Sequence, residues 1–102
     1  MITKRQYLKT KPVCKVTFQL SANAKHIALV GEFNGWNEAS TPMKKSTEGV
    51  FSVALELETG REYQYRYLLD GSNWMNDENS DKLVKTPLGN ENSVIVLLNP
   101  GI

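Results

Sequence analysis

Apolar and polar residues alternate with a period of two along most of this chain. Cys14, Val16, Phe18 and Leu20 are separated by Lys15, Thr17 and Gln19, and Phe51, Val53, Leu55 and Leu57 by Ser52, Ala54 and Glu56. Successive side chains of a strand point to opposite faces, so each run predicts a strand with one face in a core and the other in water. In 61–70, Tyr63, Tyr65, Tyr67 and Leu69 share one face, which leaves Gln64, Arg66, Leu68 and Asp70 on the other. A short apolar run at 26–30 leads into Gly31, and 93–98 is apolar on both parities, as expected of a strand covered on both sides. Residues tolerant of positive φ separate the runs at Asn34-Gly35, Glu48-Gly49, Thr59-Gly60, Asp70-Gly71 and Gly89-Asn90. Thr41-Pro42-Met43-Lys44 reads as a short edge strand, because proline has no N–H for a central ladder. No stretch carries a helical stripe with caps. The pattern predicts an all-β fold, a small antiparallel β-sandwich of five to seven short strands.

The segment between Asp70 and Ser93 departs from this regularity. It is polar and long, with one short extended piece at Leu83-Val84, and it contains Trp74 among Asn73, Asn76 and Asp77. Long connections in compact domains commonly bind something. A second tryptophan, Trp36, lies in the loop Phe33-Asn34-Gly35-Trp36-Asn37, where Phe33 is the natural core anchor. Each indole either plugs the core or stands on the surface for a ligand.

At 102 residues the chain suffices for one domain, and 40% hydrophobic with 23% charged residues is ordinary globular usage. A net charge of +1 conceals an asymmetry: Lys4, Arg5, Lys9, Lys11 and Lys15 fall within the first fifteen residues, leaving seven basic against eleven acidic side chains beyond them. The expected organisation is a solvated basic lead over 1–12 followed by one sandwich domain over 13–102. A short basic lead on an acidic body argues against nucleic acid as a partner. There is no apolar run long enough for a membrane span and no apolar signal-peptide core, so the expected location is cytoplasmic, without a membrane partner. Cys14 is the one cysteine, and its place in an apolar alternation predicts a buried thiol.

The stretch Val30-Gly31-Glu32-Phe33-Asn34-Gly35-Trp36, then Met43, the strand from Phe51 to Leu57 with Gly60, Tyr63-Gln64-Tyr65-Arg66-Tyr67 ending in Asp70-Gly71, and Leu88-Gly89 with Asn92-Ser93-Val94 resemble carbohydrate-binding module family 48. That family includes the glycogen-binding domain of AMP-activated protein kinase β subunits and the N-terminal early-set domains of isoamylases and glycogen branching enzymes. The resemblance runs over about residues 13 to 98. It implies an immunoglobulin-like early-set sandwich with no catalytic residues; no cofactor and no metal are expected. Its implied ligand is an α-1,4-glucan such as glycogen or a malto-oligosaccharide. By position, Trp36 and Trp74 are the implied stacking residues, Arg66 the basic residue and Asn92 the amide, with Leu88 and Asn90 on a loop against the sugar. The family often has one residue between Asp-Gly and the second tryptophan, whereas Ser72 and Asn73 both intervene here.

Those roles suit the chemistry. A glucose ring has apolar C–H faces that an exposed indole covers, and a hydroxyl rim that guanidinium and carboxamide groups bond. For Arg66 the residues alone also allow a sheet-face charge paired with a neighbouring glutamate. A second functional reading is a protein-interaction or scaffold domain docked on a glycogen-metabolising enzyme, with sugar binding lost; exposure of the two indoles distinguishes it from the first. Asp77, Asn79 and Asp81 match the start of a calcium loop, but Lys82 stands in place of its glycine and Leu88 in place of its bidentate glutamate. His26 has no nucleophile in a recognisable motif, and no carboxylate pair such as Glu32 with Asp70 forms a hydrolytic arrangement.

Overall fold

A computed structural model describes residues 1–98. The alternating runs become strands, in chain order β1 (Ile2–Tyr7), β2 (Val13–Ser21), β3 (Ile27–Gly31), β4 (Lys44–Lys45), β5 (Val50–Glu58), β6 (Arg61–Leu69), β7 (Asn73–Met75), β8 (Lys82–Lys85) and β9 (Glu91–Leu97), with a 3₁₀ turn at Glu32–Asn34. They form two antiparallel sheets: the first in the order β1-β2-β5-β4, the second in the order β3-β6-β9-β8, with β7 also paired to β6. The expected all-β sandwich is the observed one.

The core lies between the inward parities of both sheets. Val16, Phe18 and Leu20 of β2 and Phe51 and Leu57 of β5 meet Leu29 of β3, Tyr63, Tyr65 and Tyr67 of β6, and Ile95 and Leu97 of β9. Aromatic edges and faces organise it: Phe18 meets Tyr65 at 5.5 Å and 70°, and Tyr65 meets Tyr67 at 6.1 Å and 85°. Phe33, from the 3₁₀ turn, reaches 6.1 to 6.3 Å from the rings of Phe18, Tyr63 and Tyr65. Cys14 is fully buried, and desolvation pushes its thiol above the ordinary range.

The basic segment 1–12 is not solvated throughout. Ile2–Tyr7 pairs with β2 from Ile2↔Phe18 to Tyr7↔Cys14. Arg5 forks onto Asp81, with Nη2 to Oδ1 at 2.8 Å and Nη1 to Oδ2 at 3.0 Å, and also donates to the Val96 carbonyl. Burial favours the neutral form of Asp81, but the Arg5 fork and the Val96 N–H hold its carboxyl below the usual range. The alternation marks no strand here, because an edge strand buries little of its surface. The long segment after Asp70 likewise contains β7 and β8, whose three and four residues are too short to display a period.

The segment around Pro42 lies at an edge, as expected, and crosses between the sheets. Leu29 N–H donates to the Thr41 carbonyl and Met43 N–H to the Ile27 carbonyl, after which Lys44–Lys45 pairs with β5. The single domain expected over 13–102 includes residues 99–102, which lie outside the described residues.

Candidate functional site

Because Tyr63, Tyr65 and Tyr67 face the core, the even-numbered residues of β6 form the outer face of the second sheet. Residues directly opposite in a ladder share a face. Arg66 lies opposite Val30, Leu68 lies between Ala28 and Trp74, and Gln64 is opposite Val94. Val30, Leu68 and Val94 are buried yet stand apart from the main core. They make an apolar floor beneath the polar groups of this face.

On that floor the Arg66 guanidinium carbon sits 4.6 Å from the centre of the Trp74 ring, a cation–π stack, and Trp74 is 40% exposed. The ion pairs among the described residues are Arg5–Asp81 and Lys82–Glu62, so Arg66 is not the glutamate-paired surface charge that the residues alone allowed. Asn92, on the same face, donates from Nδ2 to Gln64 Oε1 at 3.0 Å. Among the described residues, the buried side-chain polar atoms without a partner are Arg66 Nε and Asn92 Oδ1, and both belong to this face. Orphaned polar atoms are rare in folded proteins and each calls for a reason.

The facing of Trp74 is decided by the β6–β7 turn. Asp70 and Gly71 have φ of 51° and 73°, the signature of a type I′ turn, and Ser72 N–H closes it onto the Leu69 carbonyl at 3.1 Å. Asp70 Oδ1 also accepts the backbone N–H groups of His26 and Lys25, which hold its carboxyl below the ordinary range and pin the turn to the entry of β3. The ladder resumes at Leu69↔Asn73 and Leu68↔Trp74. Ser72, the extra residue, is taken up in the turn and leaves the register untouched. Deleting Ser72 should therefore keep Trp74 opposite Leu68, with unchanged cross-strand nuclear Overhauser contacts between those two residues. Loss of those contacts would show that Ser72 sets the register.

Trp36 comes from a loop whose other residues have structural work. A Cβ on Gly31 would meet the Gln64 carbonyl oxygen and Tyr65 Cβ at 2.6 Å, so only glycine fits there. Phe33 packs in the core. Asn34 accepts from the Gly31 N–H and donates to the Leu29 carbonyl and Thr41 Oγ1. Gly35 takes φ of 66°. Trp36 follows at φ 60°, unusual for a bulky residue, is half-buried, and donates its N–H to the Gly31 carbonyl at 2.8 Å, one residue beyond the Val30–Arg66 pair.

Leu88 and Asn90 lie on the loop between β8 and β9. Leu88 is 90% exposed, and Asn90 Oδ1 accepts from Thr86 Oγ1, which stiffens the loop leading to Asn92. Gln64 was not among the expected site residues, although its shared parity with Arg66 was visible in the sequence. Asp77 and Asp81 have structural partners: Asp77 binds Tyr65, Tyr67 and the Ile2 N–H, and Asp81 binds Arg5 and the Val96 N–H.

An early-set β-sandwich with an exposed aromatic ring, a guanidinium and amides on one open sheet face has the architecture of a carbohydrate-binding module. The chain belongs to the carbohydrate-binding module 48 family, the isoamylase N-terminal domain, whose family model matches residues 8–87. It is 33% identical over 75 residues to Protein PTST homolog 2, chloroplastic, of Arabidopsis thaliana, covering 74% of this chain and 13% of that protein. It is 41% identical over 46 residues to the 1,4-alpha-glucan branching enzyme GlgB of Aquifex aeolicus, covering 42% of this chain and 7% of the enzyme. Against the 1,4-alpha-glucan-branching enzyme of Candida glabrata it is 58% identical over 40 residues, 37% of this chain and 6% of the enzyme. The chain thus spans a small fraction of each relative's length. No helix among the described residues is long and apolar enough to cross a membrane.

Proposed function

We propose that this chain is a non-catalytic module that binds linear α-1,4-glucan chains on the outer face of its second sheet. Trp74 and Trp36 stack on glucose C–H faces, Arg66 and Asn92 bond ring hydroxyls, and Leu88 and Asn90 form a side wall. The observation that carries this reading is the Arg66–Trp74 stack, which holds a planar donor group beside an exposed ring without an ion-pair partner. The strained backbone at Trp36 adds to it, because such strain clusters at functional positions. The branching enzymes among the relatives favour a role beside glucan-active enzymes, with the chemistry supplied elsewhere.

Titration of tryptophan fluorescence with maltoheptaose and β-cyclodextrin tests the reading. A saturable change is expected. Trp74→Ala and Trp36→Ala should each weaken binding by at least about tenfold, equivalent to ~1.4 kcal/mol. Trp74→Ala should cost less than about 1 kcal/mol of stability, against roughly 3–5 kcal/mol for a fully buried tryptophan. No change at millimolar sugar with the fold intact would overturn the reading and favour the scaffold alternative.

A further inference from the structure

The flank of the sandwich where β3 and β4 lie is closed at one end and open at the other. The 41–45 segment covers β3 and the start of β5 by backbone hydrogen bonds and a short ladder. Beyond it, β5 pairs on that side only at Phe51 and Ser52, so from Val53 to Glu58 its outer edge has no strand beside it among the described residues. On β6 the β3 ladder begins at Tyr65, and Glu32 Oε1 caps the Gln64 N–H at 2.7 Å where a strand would otherwise pair. Between the two edges lies a groove of about 260 Å³ bordered by Glu32, Phe33, Glu56, Glu58, Arg61 and Tyr63.

Glu56 and Glu58 are the charges that guard this edge against indiscriminate pairing. The edge has no proline, lysine or bulge, and its register with β2 is unbroken over Val50 to Glu58. Val53 and Leu55 have the inward parity of Phe51 and Leu57 and pack against the core, but they are only half-buried, and among the described residues no strand lies beside them at the flank. Ser46 N–H bonds the Val50 carbonyl, so Val50 and, by alternation, Ala54, Glu56 and Glu58 direct backbone groups to this side.

We propose that this edge accepts an extended segment of another protein as an additional strand of the first sheet. That segment alternates basic and apolar side chains: the apolar ones cover Val53 and Leu55, and the basic ones stand opposite Glu56 and Glu58, with Glu32 nearby. Charge selects this occupant: Glu58 lies opposite Val13 and Glu56 opposite Lys15, and neither glutamate is in an ion pair among the described residues. Arg61, the cation of the groove, is stacked 4.6 Å over the Tyr63 ring. A second copy of the chain is disfavoured, because antiparallel self-pairing in the registers that engage both glutamates sets Glu56 opposite Glu56 or Glu58. The site lies on a different sheet from the glucan face and does not depend on it.

The test uses a blocked synthetic peptide alternating lysine and valine, about seven residues long, titrated into the full chain and followed by amide resonances and hydrogen exchange. Shifts should centre on residues 53–58, and the Ala54 and Glu56 amides should gain protection of at least about tenfold. A glutamate-valine peptide should not bind. The double variant Glu56→Lys, Glu58→Lys, folded by its amide spectrum, should weaken the lysine peptide at least tenfold and accept the glutamate peptide. Absence of edge shifts, shifts centred elsewhere, equal binding of both peptides, or edge shifts produced by concentrating the chain alone would each overturn the proposal.

Discussion

Asp77→Ala should lower the unfolding free energy by about 2–6 kcal/mol, a large share of the roughly 5–15 kcal/mol typical of a domain. Asp77 is 3% exposed and joins elements that packing alone does not align. Its Oδ2 accepts from Tyr65 Oη at 2.7 Å, Tyr67 Oη at 2.8 Å and the Ile2 N–H at 3.0 Å, and its Oδ1 from the Asn79 N–H at 2.7 Å. Its own N–H donates to Ser93 Oγ, whose hydroxyl donates to Asn76 Oδ1. Alanine would leave two phenolic hydroxyls without an acceptor inside the sandwich, and each unsatisfied buried group costs about 1–3 kcal/mol. Urea denaturation measures the change, and a loss below about 1 kcal/mol would mean other acceptors replace the carboxylate. Replacing the phenolic donors and their acceptor together, as Asp77→Leu with Tyr65→Phe and Tyr67→Phe, should be milder than Asp77→Ala, because only the Ile2 and Asn79 N–H groups then lose their acceptor.

The same tyrosines should make the protein sensitive to alkali. Burial is the main cause that pushes the Tyr65 and Tyr67 hydroxyls far above the ordinary phenol range, and the Asp77 charge adds to it. Both stay protonated when folded, whereas in the unfolded chain they ionise near pH 10. Above that pH the unfolded state binds fewer protons than the folded one, so stability present below about pH 10 is lost as pH rises. Each tyrosine contributes a slope of about 1.4 kcal/mol per pH unit, or ~2.7 kcal/mol for the pair. Tyr63, raised chiefly by burial, acts in the same direction. Denaturation midpoints across the alkaline range check this, and the double variant Tyr65→Phe, Tyr67→Phe should flatten the slope. An equally steep fall in that variant would assign the sensitivity to other groups.

Both predictions turn on residues that the sequence displays unevenly. The strands β2, β5 and β6 were legible because each has one face in the core, which forces a period of two. β9 was legible as doubly covered, with Ile95 in the core and Val94 in the floor under the second sheet's outer face. β1 was hidden because its polar residues suit an edge. Arg66 was placed on the outer face by parity, but whether it paired with a glutamate or stacked on Trp74 depends on a hairpin turn. Asp77 read as part of an incomplete calcium pattern. The signal for its role lay in β6: tyrosines alternating into a core need an acceptor for their hydroxyls, and Asp77 follows shortly after the hairpin.

The two sheets are fastened to each other at opposite flanks by different means. On one side the 41–45 segment bonds first to β3 and then to β5, a continuous piece of backbone shared by both layers. On the other, Asp77 and Asp81 reach from the second sheet to Ile2 and Arg5 of β1. Layers fixed along both margins cannot slide or part before these fastenings open, and opening them exposes the core. The transition is therefore expected to be all-or-none, with secondary structure and aromatic packing disappearing together over one denaturant interval.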